Sequence, residues 1–467
     1  PCLYTALTTM VGFGSLVISD IKPVIDFGWM MTLGLCVTCV ISFLLFPAAL
    51  VMLERTDTSD RESEEVPFTA ALAGFTEKFG TAILVGAMVL GALCIAGMTR
   101  LKVENSFVNY FNDSTEIHRG LRLIDEKLGG TTPLDIILRF PEPPPEPGDA
   151  AEDDDTEDFE AIFGKADKAD YWFTPEKVDL IKAVHDYLET LPAVGKVLSL
   201  ASTVRLAESL SSGQEFNTFE LAVLYKRLNA ELRASMIEPY VSLARDEARL
   251  TVRILDSLPD LRRKELLDGI RSELQTRFKL PPEEFEIAGL MVLYNNMLQS
   301  LFRSQILTLG VVMLVIWIML LVLFRSLSLS IIGIIPNILA SLTILGLMGW
   351  LGTPLDMMTI TIASITIGIA VDNAIHYIYR FREEFPCYGG RYIDTMRYCH
   401  QSIGRAVFYV AIIIIVGFSI LVFSNFVPTV LFGSLTALAM LVALILALTL
   451  LPQLILFWRP FRLPEAA

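Results

Sequence analysis

An aspartate inside an apolar stretch is the residue of this chain best suited to chemistry. Asp372 lies in "IGIAVDNAIHYIYRF" (Ile367–Phe381), near the end of an apolar segment that starts at about Met357. A charged side chain at the centre of a membrane span costs about 2.5–3.5 kcal/mol, and such residues usually face a helix bundle and mark ion or proton pathways. Because burial raises the pKa of a carboxyl group, such a residue can bind and release a proton near neutral pH. The stretch therefore predicts a proton relay.

Small and polar residues share one face of the same predicted helix, at i, i+3, i+7, i+11 and i+15. They are Thr361, Ser364, Gly368, Asp372 and His376. Gly368 permits close approach of a second helix. His376 titrates near neutral pH and could pass protons onward, although a plain interfacial histidine fits as well. A structural Asp372, bonded to a hydroxyl or solvated near Arg380, is the alternative to the relay.

Other polar residues of the apolar segments have weaker claims. Asn373 is assigned either to the relay or to amide bonds with a neighbouring helix. Thr5, Thr8 and Thr9 are hydroxyls that could serve an aspartate upstream of Pro1, or could bond to their own helix. Pro336 in "GIIPNILASL" predicts a helix kink, with or without a function.

Membrane helices are the elements that must position these residues. The chain has 467 residues, 53% of them hydrophobic, and a mean hydropathy of +0.54, which indicates a membrane protein. A helix needs about 20 apolar residues to cross a bilayer. The sequence predicts eight spans, at about 2–19, 26–53, 80–99, 305–324, 328–350, 356–379, 404–424 and 430–457.

A repeat links the two ends of the chain. "VGFGSLVISDIKPVIDFG" (Val11–Gly28) and "VGFSILVFSNFVPTVLFG" (Val416–Gly433) are identical at nine of 18 positions, and Pro47 and Pro452 keep the same offset of 405. The second repeat begins near residue 80, so most of the first would lie upstream of Pro1. We therefore expect twelve spans and two outer domains in the natural protein, an arrangement typical of transporters.

Charge sets the orientation. Arginines after the sixth span, from Arg380 to Arg405, indicate a cytoplasmic loop, which puts region 101–303 in the periplasm of a Gram-negative cell. The predicted domains are two last helices of the first repeat (1–53), a cytoplasmic linker (54–78), the first helix of the second repeat (79–100), the periplasmic domain (101–303), three membrane helices (304–379), a basic connector (380–402), two last helices (403–458) and a cytoplasmic tail (459–467).

The outer region has a β-α-β, helical insert, β-α-β pattern typical of a split ferredoxin-like fold. The strands are expected at 134–140, 195–201, 248–255 and 285–289, the helices at 175–191 and 259–278, and the helical insert at about 203–242. An acidic insert, 141–170, is predicted to be disordered. From Glu142 to Asp170 it has twelve Asp or Glu and two Lys, which explains most of the net charge of −15.

Several classes of protein are disfavoured. The six cysteines show no metal-binding spacing or disulfide framework, so we expect no metal site. The chain has no nucleotide-binding loop and no hydrolase or metalloprotease motif, so we expect no cofactor, no catalytic residue and no enzyme. No basic aromatic patch supports nucleic-acid binding.

The segment "LFRSLSLSIIGIIPNILASLTILGLMGWLGTPLDMMTITIASITIGIAVDNAIHYIYRFREE" (Leu323–Glu384) and the paired repeat segments resemble the resistance-nodulation-division (RND) superfamily, in particular its MMPL-like branch. The resemblance covers essentially all of 1–458. It implies two six-helix units, each with a ferredoxin-like porter domain. It also implies protons carried by fourth-helix aspartates in a GxxxD motif, here Gly368 and Asp372. Many members have tyrosine where this chain has Asn373.

The resemblance implies a secondary transporter that uses the proton gradient to export hydrophobic or lipid-like molecules from a bacterial inner membrane. A protein-translocation motor of the same superfamily and a lipid- or sterol-sensing protein that transports nothing are the alternatives. Membrane lipids, the substrate and protons are the expected partners, with a periplasmic carrier or lipoprotein and a second copy of the chain as further candidates.

Overall fold

The computed structural model describes residues 2–19, 22–52, 67–101, 106, 108–140, 172–210, 220, 225, 229–258, 261–356 and 358–462. The chain forms two compact units. Pro1–Asn105 and Met297–Ala467 form the first, called here the helical unit, and Ser106–Asn296 form the second, called the sheet unit. The acidic insert predicted at 141–170 and the first part of the linker predicted at 54–78 lie outside the described residues.

The helices of the described residues, in chain order, are α1 (Cys2–Gly14), α2 (Lys22–Met52), α3 (Pro67–Lys78), α4 (Gly80–Met98), α5 (Glu116–Lys127), α6 (Pro175–Glu189), α7 (Leu200–Leu210), α8 (Ala230–Met236), α9 (Arg263–Thr276), α10 (Leu290–Phe324), α11 (Leu327–Leu351), α12 (Thr359–Glu384), α13 (Tyr392–Gln401), α14 (Ile403–Ser419), α15 (Val427–Leu448) and α16 (Leu450–Trp458). The strands are β1 (Thr132–Arg139), β2 (Val194–Leu198), β3 (Val241–Ser242), β4 (Glu247–Ile254) and β5 (Phe285–Ala288).

Seven helical segments of the described chain are long and apolar enough to cross a membrane. They are Lys22–Met52, Gly80–Met98, Leu307–Phe324, Leu327–Leu351, Thr361–Glu384, Ile403–Phe423 and Val427–Trp458. The first span predicted, 2–19, corresponds to a shorter apolar helical segment, Cys2–Ile18, whose last turn, Ser15–Ile18, is a 3₁₀ helix. The span predicted at 356–379 also continues to Glu384, into the predicted connector.

The repeat found in the sequence has a geometric counterpart. Both copies end a helix in a 3₁₀ turn, Ser15–Ile18 in the first and Ile420–Phe423 in the second. A serine with extended backbone follows each turn, and its N–H donates to the carbonyl three residues back at 3.1 Å. Edge-on phenylalanine pairs, Phe13–Phe27 and Phe418–Phe432, then join the two helices of each copy. Equivalent residues 405 positions apart thus build equivalent helical hairpins.

Burial in the helical unit is uneven. The central parts of α11, α12 and α15 are mostly buried, whereas the most apolar stretch of α2 has no buried residue. The backbones of α4 and α11 cross closely, since a Cβ added to Gly346 would lie 2.5 Å from the Cα of Cys94. The helix α12, which carries Asp372, is therefore at the centre of this unit.

The sheet unit has strand order β2-β4-β1-β5, with all neighbours antiparallel and β3 added to β4. Leu134 pairs with Val252 and Ile136 with Leu250, and these side chains are fully buried on one face. The other face of the sheet carries charged residues such as Asp135 and Arg249, because side chains alternate along a strand. α6 follows β1 and α9 follows β4, in the order read from the sequence.

Some elements differ from the sequence-based prediction. β2 ends at Leu198, short of the predicted residue 201, because the Ser199 hydroxyl accepts the Ala201 N–H at 3.1 Å where α7 begins. Part of the predicted linker is helical, as α3. The prediction also missed α5, which begins where the Thr115 hydroxyl accepts the His118 N–H.

Candidate functional site

The candidate site lies where α1 packs against α12. The Thr8 hydroxyl is 3.1 Å from Oδ1 of Asp372, and the Thr9 hydroxyl is 3.2 Å from Oδ2. Adjacent residues of one helix therefore address the two oxygens of one carboxylate. Thr8 is almost fully buried, and Asp372 is partly exposed at the edge of the contact. The hydroxyls of Thr8 and Thr9 thus contact an aspartate of this chain, Asp372.

Two glycines make this contact possible. A Cβ added to Gly12 would lie 2.8 Å from the Cα of Gly368, and one added to Gly368 would lie 3.0 Å from the Cα of Gly12. The backbones touch there, one turn from Asp372 on α12 and one turn from Thr8 and Thr9 on α1. Two short side chains can then reach across to the carboxylate. The packing role predicted for Gly368 agrees with this geometry, whereas Gly12 was noted in the sequence only as part of the repeat.

Each threonine hydroxyl has a choice of acceptors. The Thr8 hydroxyl also lies 2.8 Å from the Thr5 carbonyl, and the Thr9 hydroxyl lies 2.9 Å from the same carbonyl. The Thr9 hydroxyl is further within 3.3 Å of the Gly368 carbonyl. Because a hydroxyl carries one proton, it donates either to the carboxylate or to a backbone carbonyl. The third threonine, Thr5, bonds to the Cys2 carbonyl of its own helix at 2.9 Å.

His376 and Asn373 lie close to Asp372 in the helix without joining this network. Both side chains are partly buried, and neither makes a hydrogen bond with any residue that the structure describes. His376 is one turn beyond Asp372 on α12, on the same face. The structure thus brings Thr8 and Thr9 to the carboxylate, and leaves the relay roles of His376 and Asn373 as predictions.

Ser364 and Thr361 extend the polar face in the other direction. The Thr361 hydroxyl donates to the Met358 carbonyl at 2.8 Å, which closes the first turn of α12. Ser364 is fully buried, and its hydroxyl has no hydrogen-bond partner among the described residues. Its backbone carbonyl lies 3.4 Å from a Cβ added to Gly12, so Ser364 also lines the contact with α1.

Pro336 and Asp356 have local roles. α11 runs through Pro336 without a break, and the Asn337 side chain donates to the Gly333 carbonyl at 2.8 Å beside it. Asp356 Oδ1 accepts the N–H groups of Met358 and Thr359 at 2.9 and 2.7 Å, just before α12. This agrees with a helix-start carboxylate.

A buried histidine that the sequence analysis passed over lies on α13. The Tyr377 hydroxyl is 3.0 Å from His400 Nδ1, and His400 Nε2 is 2.9 Å from the Leu448 carbonyl. That carbonyl has no α-helical donor four residues on, because Pro452 has no N–H. Burial lowers the pKa of His400, so the ring is neutral at physiological pH. The apolar face of α13 and the proline were the available signals.

No cluster of three or more metal-ligating residues occurs among the described residues. In the sheet unit, His185 bonds both Ser199 and Glu189, at 2.9 and 3.2 Å. Ser199 is fully buried and caps α7, so this set of residues stabilises the fold and offers no accessible nucleophile.

Comparison with known proteins agrees with this architecture. The sequence profile of the MMPL family matches residues 205–466. A protein of Methanocaldococcus jannaschii that is named as a membrane protein is 24% identical over 395 residues, which cover 82% of this chain and 92% of that protein.

Solved structures that match this chain include one that is similar in fold and a second with a lower TM-score. The hedgehog release protein Disp from the water bear Hypsibius dujardini has a TM-score of 0.57 and 14% identity. A heavy metal efflux pump has a TM-score of 0.47 and 13% identity. Each comparison covers 98% of this chain and 58% of the other, so the chain spans less than two thirds of either structure.

The apolar helices define a multi-pass membrane protein, and its fold is similar to that of Disp. The chain belongs to the MMPL family.

Proposed function

We propose that this protein uses the proton gradient to export hydrophobic or lipid-like molecules, with Asp372 as the proton carrier. The contact of Asp372 with Thr8 and Thr9 carries the proposal. A carboxylate in a membrane helix is costly, and it is retained where neighbouring groups can stabilise it and where its charge serves a function. Two hydroxyls that have other acceptors within reach supply such a reversible environment.

The proposed cycle follows from the donors available. When Asp372 is ionised, the hydroxyls of Thr8 and Thr9 turn towards the carboxylate and hold α1 against α12. When Asp372 is protonated, the carboxylate charge is lost and both hydroxyls can return to the Thr5 carbonyl. The carboxylic acid can then donate its own proton to one threonine oxygen. Protonation thus exchanges two charge-assisted bonds for one neutral bond, which weakens the contact between the helices.

His376 is proposed to pass protons between Asp372 and the cytoplasm, since it lies one turn nearer the basic end of α12. Asn373 is proposed to support this exchange from the same turn of the helix. Ser364, with its buried hydroxyl, and Thr361 are proposed to maintain the polar face on the opposite side of Asp372.

The sheet unit is proposed to be a ferredoxin-like porter domain in the periplasm, and the membrane to be the bacterial inner membrane. The strand order and the β-α-β units support the ferredoxin-like domain, and the arginines after α12 support its place on the side opposite the cytoplasm. The substrate is proposed to enter from the membrane and leave to a periplasmic carrier or lipoprotein. A second copy of the chain is proposed as a further partner.

Transfer of a fluorescent lipid tests the proposal. The full-length protein is reconstituted into vesicles that contain phosphatidylglycerol labelled on its head group, and transfer to albumin outside is followed with and without an imposed proton gradient. We expect gradient-dependent transfer by the wild type and none by Asp372→Asn, which keeps the shape of the side chain but cannot ionise. Asp26→Asn, on α2, is the matched control and should behave as the wild type.

Other outcomes would select another function. Lipid binding with no gradient-dependent transfer in the wild type would indicate a sensor. Gradient-dependent export of a polypeptide without lipid transfer would indicate a translocation motor. Either result contradicts the proposed lipid export.

A further inference from the structure

An arginine and a tryptophan stack on each other at one end of the helical unit. The guanidinium carbon of Arg100, just after α4, lies 4.3 Å from the ring centre of Trp350, at the end of α11. Arg100 is exposed, and 46% of the Trp350 surface is accessible. Among the described residues, no carboxylate pairs with Arg100.

Contacts with α4 fix the position of the Trp350 ring. Trp350 Nε1 donates to the Leu93 carbonyl of α4 at 3.0 Å. A Cβ added to Gly97 would lie 2.6 Å from Cδ1 of Trp350, so the ring occupies the space that any side chain there would need. Gly97 and the Leu93 carbonyl together fix the Trp350 ring that contacts Arg100.

The N–H donors of the Arg100 guanidinium have no hydrogen-bond partner among the described residues. They lie in the plane of the group and form its hydrogen-bonding edge. Such an edge matches two oxygens of a phosphate, and bidentate bonds of this kind are among the strongest in proteins. The arrangement is therefore suited to a phosphate that approaches from the side.

The position of Arg100 and Trp350 indicates that the phosphate belongs to a lipid head group. Arg100 and Trp350 lie at the ends of two membrane spans, Gly80–Met98 and Leu327–Leu351, and tryptophan is typical of the interface between lipid tails and head groups. Apolar side chains beside them face outward, with Ile95 59% exposed and Leu351 68% exposed. A ligand here meets one cation at head-group depth and apolar surface below it. An anionic phospholipid has this pattern.

We propose that Arg100 and Trp350 form a binding site for the phosphate of an anionic phospholipid, in the leaflet at this end of α4 and α11. The proposal rests on the proposed function in one respect, since it identifies the lipid-like substrate, or the lipid from which it is drawn, as one with a phosphate head group. Gly97 positions the site without contacting the lipid.

The test measures lipid binding in the absence of a proton gradient. The purified full-length protein is titrated with phosphatidylglycerol or with phosphatidylcholine of the same acyl chains, and bound lipids are counted by native mass spectrometry. We expect the wild type to prefer phosphatidylglycerol and Arg100→Gln to bind it about tenfold less tightly, as expected for the loss of a bond to a charged group. Inorganic phosphate should not displace the lipid, because it lacks the apolar contacts.

A glycine pair provides the matched control. Gly97→Ala should weaken phosphatidylglycerol binding, because the added Cβ would lie 2.2 Å from the Gly346 carbonyl oxygen and 2.6 Å from Trp350 Cδ1 and would displace the end of α11 that carries Trp350. Gly86→Ala, on the same helix with nothing within 4 Å of the added Cβ, should not weaken it. Thermal unfolding of each variant checks the fold. Unchanged lipid preference in Arg100→Gln, equal effects of the two glycine variants, or displacement by inorganic phosphate would overturn the proposal.

The two proposals fail separately. Asp372→Asn should bind phosphatidylglycerol as the wild type does, because Asp372 is remote from this end of α4. If Arg100→Gln keeps the lipid preference while transfer still requires Asp372, only the lipid site is wrong. If Arg100→Gln loses the preference while transfer is independent of Asp372, only the proton-coupled mechanism is wrong.

Discussion

At Asp372, two hydroxyl donors face one carboxylate, and each donor has a second acceptor on its own helix. A fixed ion pair would keep Asp372 ionised at all times, and a fully apolar pocket would keep it protonated. The arrangement of Thr8 and Thr9 lies between these extremes, because a small rotation of each hydroxyl stabilises or releases the charged form. This adaptability is what the proton-carrier role requires.

Removal of both hydroxyls should impair transport. In Thr8→Val with Thr9→Val the shape is nearly kept, but the ionised carboxylate loses both donors, and each bond to a charged group contributes about 1.5–3 kcal/mol. We expect gradient-driven lipid transfer to fall by at least tenfold. Thr38→Val is the matched control, since its exposed hydroxyl bonds only the Gly34 carbonyl of its own helix. Equal transfer rates in the two variants would contradict the role of the threonine pair.

Protonation of His400 should destabilise the fold in acid. Burial lowers the pKa of His400 below its ordinary value of 6.5, so the unfolded chain binds this proton more readily than the folded one. Stability from this group is therefore complete above about pH 6.5 and declines as the pH falls below it, by at most about 1.4 kcal/mol per pH unit and proton. Thermal unfolding between pH 7.5 and 5 measures the slope.

The comparison variant for this prediction is His400→Gln. It should unfold at a lower temperature at pH 7.5, since it loses the bonded imidazole, but with a weaker dependence on pH. The slope should not vanish, because burial also lowers the pKa of His185 in the sheet unit. A slope identical to that of the wild type would show that His400 does not titrate on unfolding.

Sequence alone identified Asp372, Gly368 one turn before it, and the three threonines of α1 as candidate residues. It did so because a carboxylate and hydroxyls are rare in apolar segments, where each needs a partner. It could not pair Thr8 and Thr9 with Asp372, since residues 363 or 364 positions apart meet only through the fold. His400 was missed because its two signals, the apolar face of α13 and Pro452, lie in separate segments that meet only through the fold.

At the scale of helices, the contact between α1 and α12 depends on backbone touching backbone. A methyl group at Gly12 or Gly368 meets Cα atoms, which cannot rotate away as a side chain can. The helices would have to separate, and overpacking of this kind typically costs about 1–3 kcal/mol. Separation by a few tenths of an ångström also lengthens both threonine bonds to Asp372.

Gly368→Ala should therefore lower transport more than it lowers stability. We expect lipid transfer to fall several-fold, with a small decrease in the temperature of thermal unfolding. Gly34→Ala is the matched control, because its added Cβ would have nothing within 4 Å. If Gly368→Ala and Gly34→Ala transport equally well, the close approach of the helices is not required.

Element types were largely predictable, whereas some ends were not. Apolar runs of about 20 residues predict membrane helices, because such a run can cross a bilayer. Alternation of apolar and polar residues predicts strands, because one face of the sheet is buried. The prediction missed α5, although Ile117, Leu121 and Ile124 have helical spacing. The region was interpreted only as strands and the helices that connect them. The first predicted span corresponds to the apolar segment Cys2–Ile18, and its 3₁₀ turn at Ser15–Ile18 was not predicted.

For the whole molecule, the repeat is the feature that sequence and structure describe alike. The matching turns, serines and phenylalanine pairs show that equivalent residues form equivalent hairpins. Yet the two hairpins differ in burial, since α15 is mostly enclosed while the apolar part of α2 is exposed in this chain. Substrate and direction of transport follow from the complete assembly, which local patterns do not specify.

Infrared difference spectroscopy on the full-length protein tests the central claim most directly, by detecting the carboxyl group that takes up the proton. Spectra are recorded before and after acidification for the wild type, for Asp372→Asn and for Thr8→Val with Thr9→Val. The account predicts a band of a protonated carboxylic acid in the wild type that is absent from Asp372→Asn and shifted in the threonine variant, where its hydrogen bond is lost. A band that is unchanged in both variants would mean that Asp372 does not carry the proton.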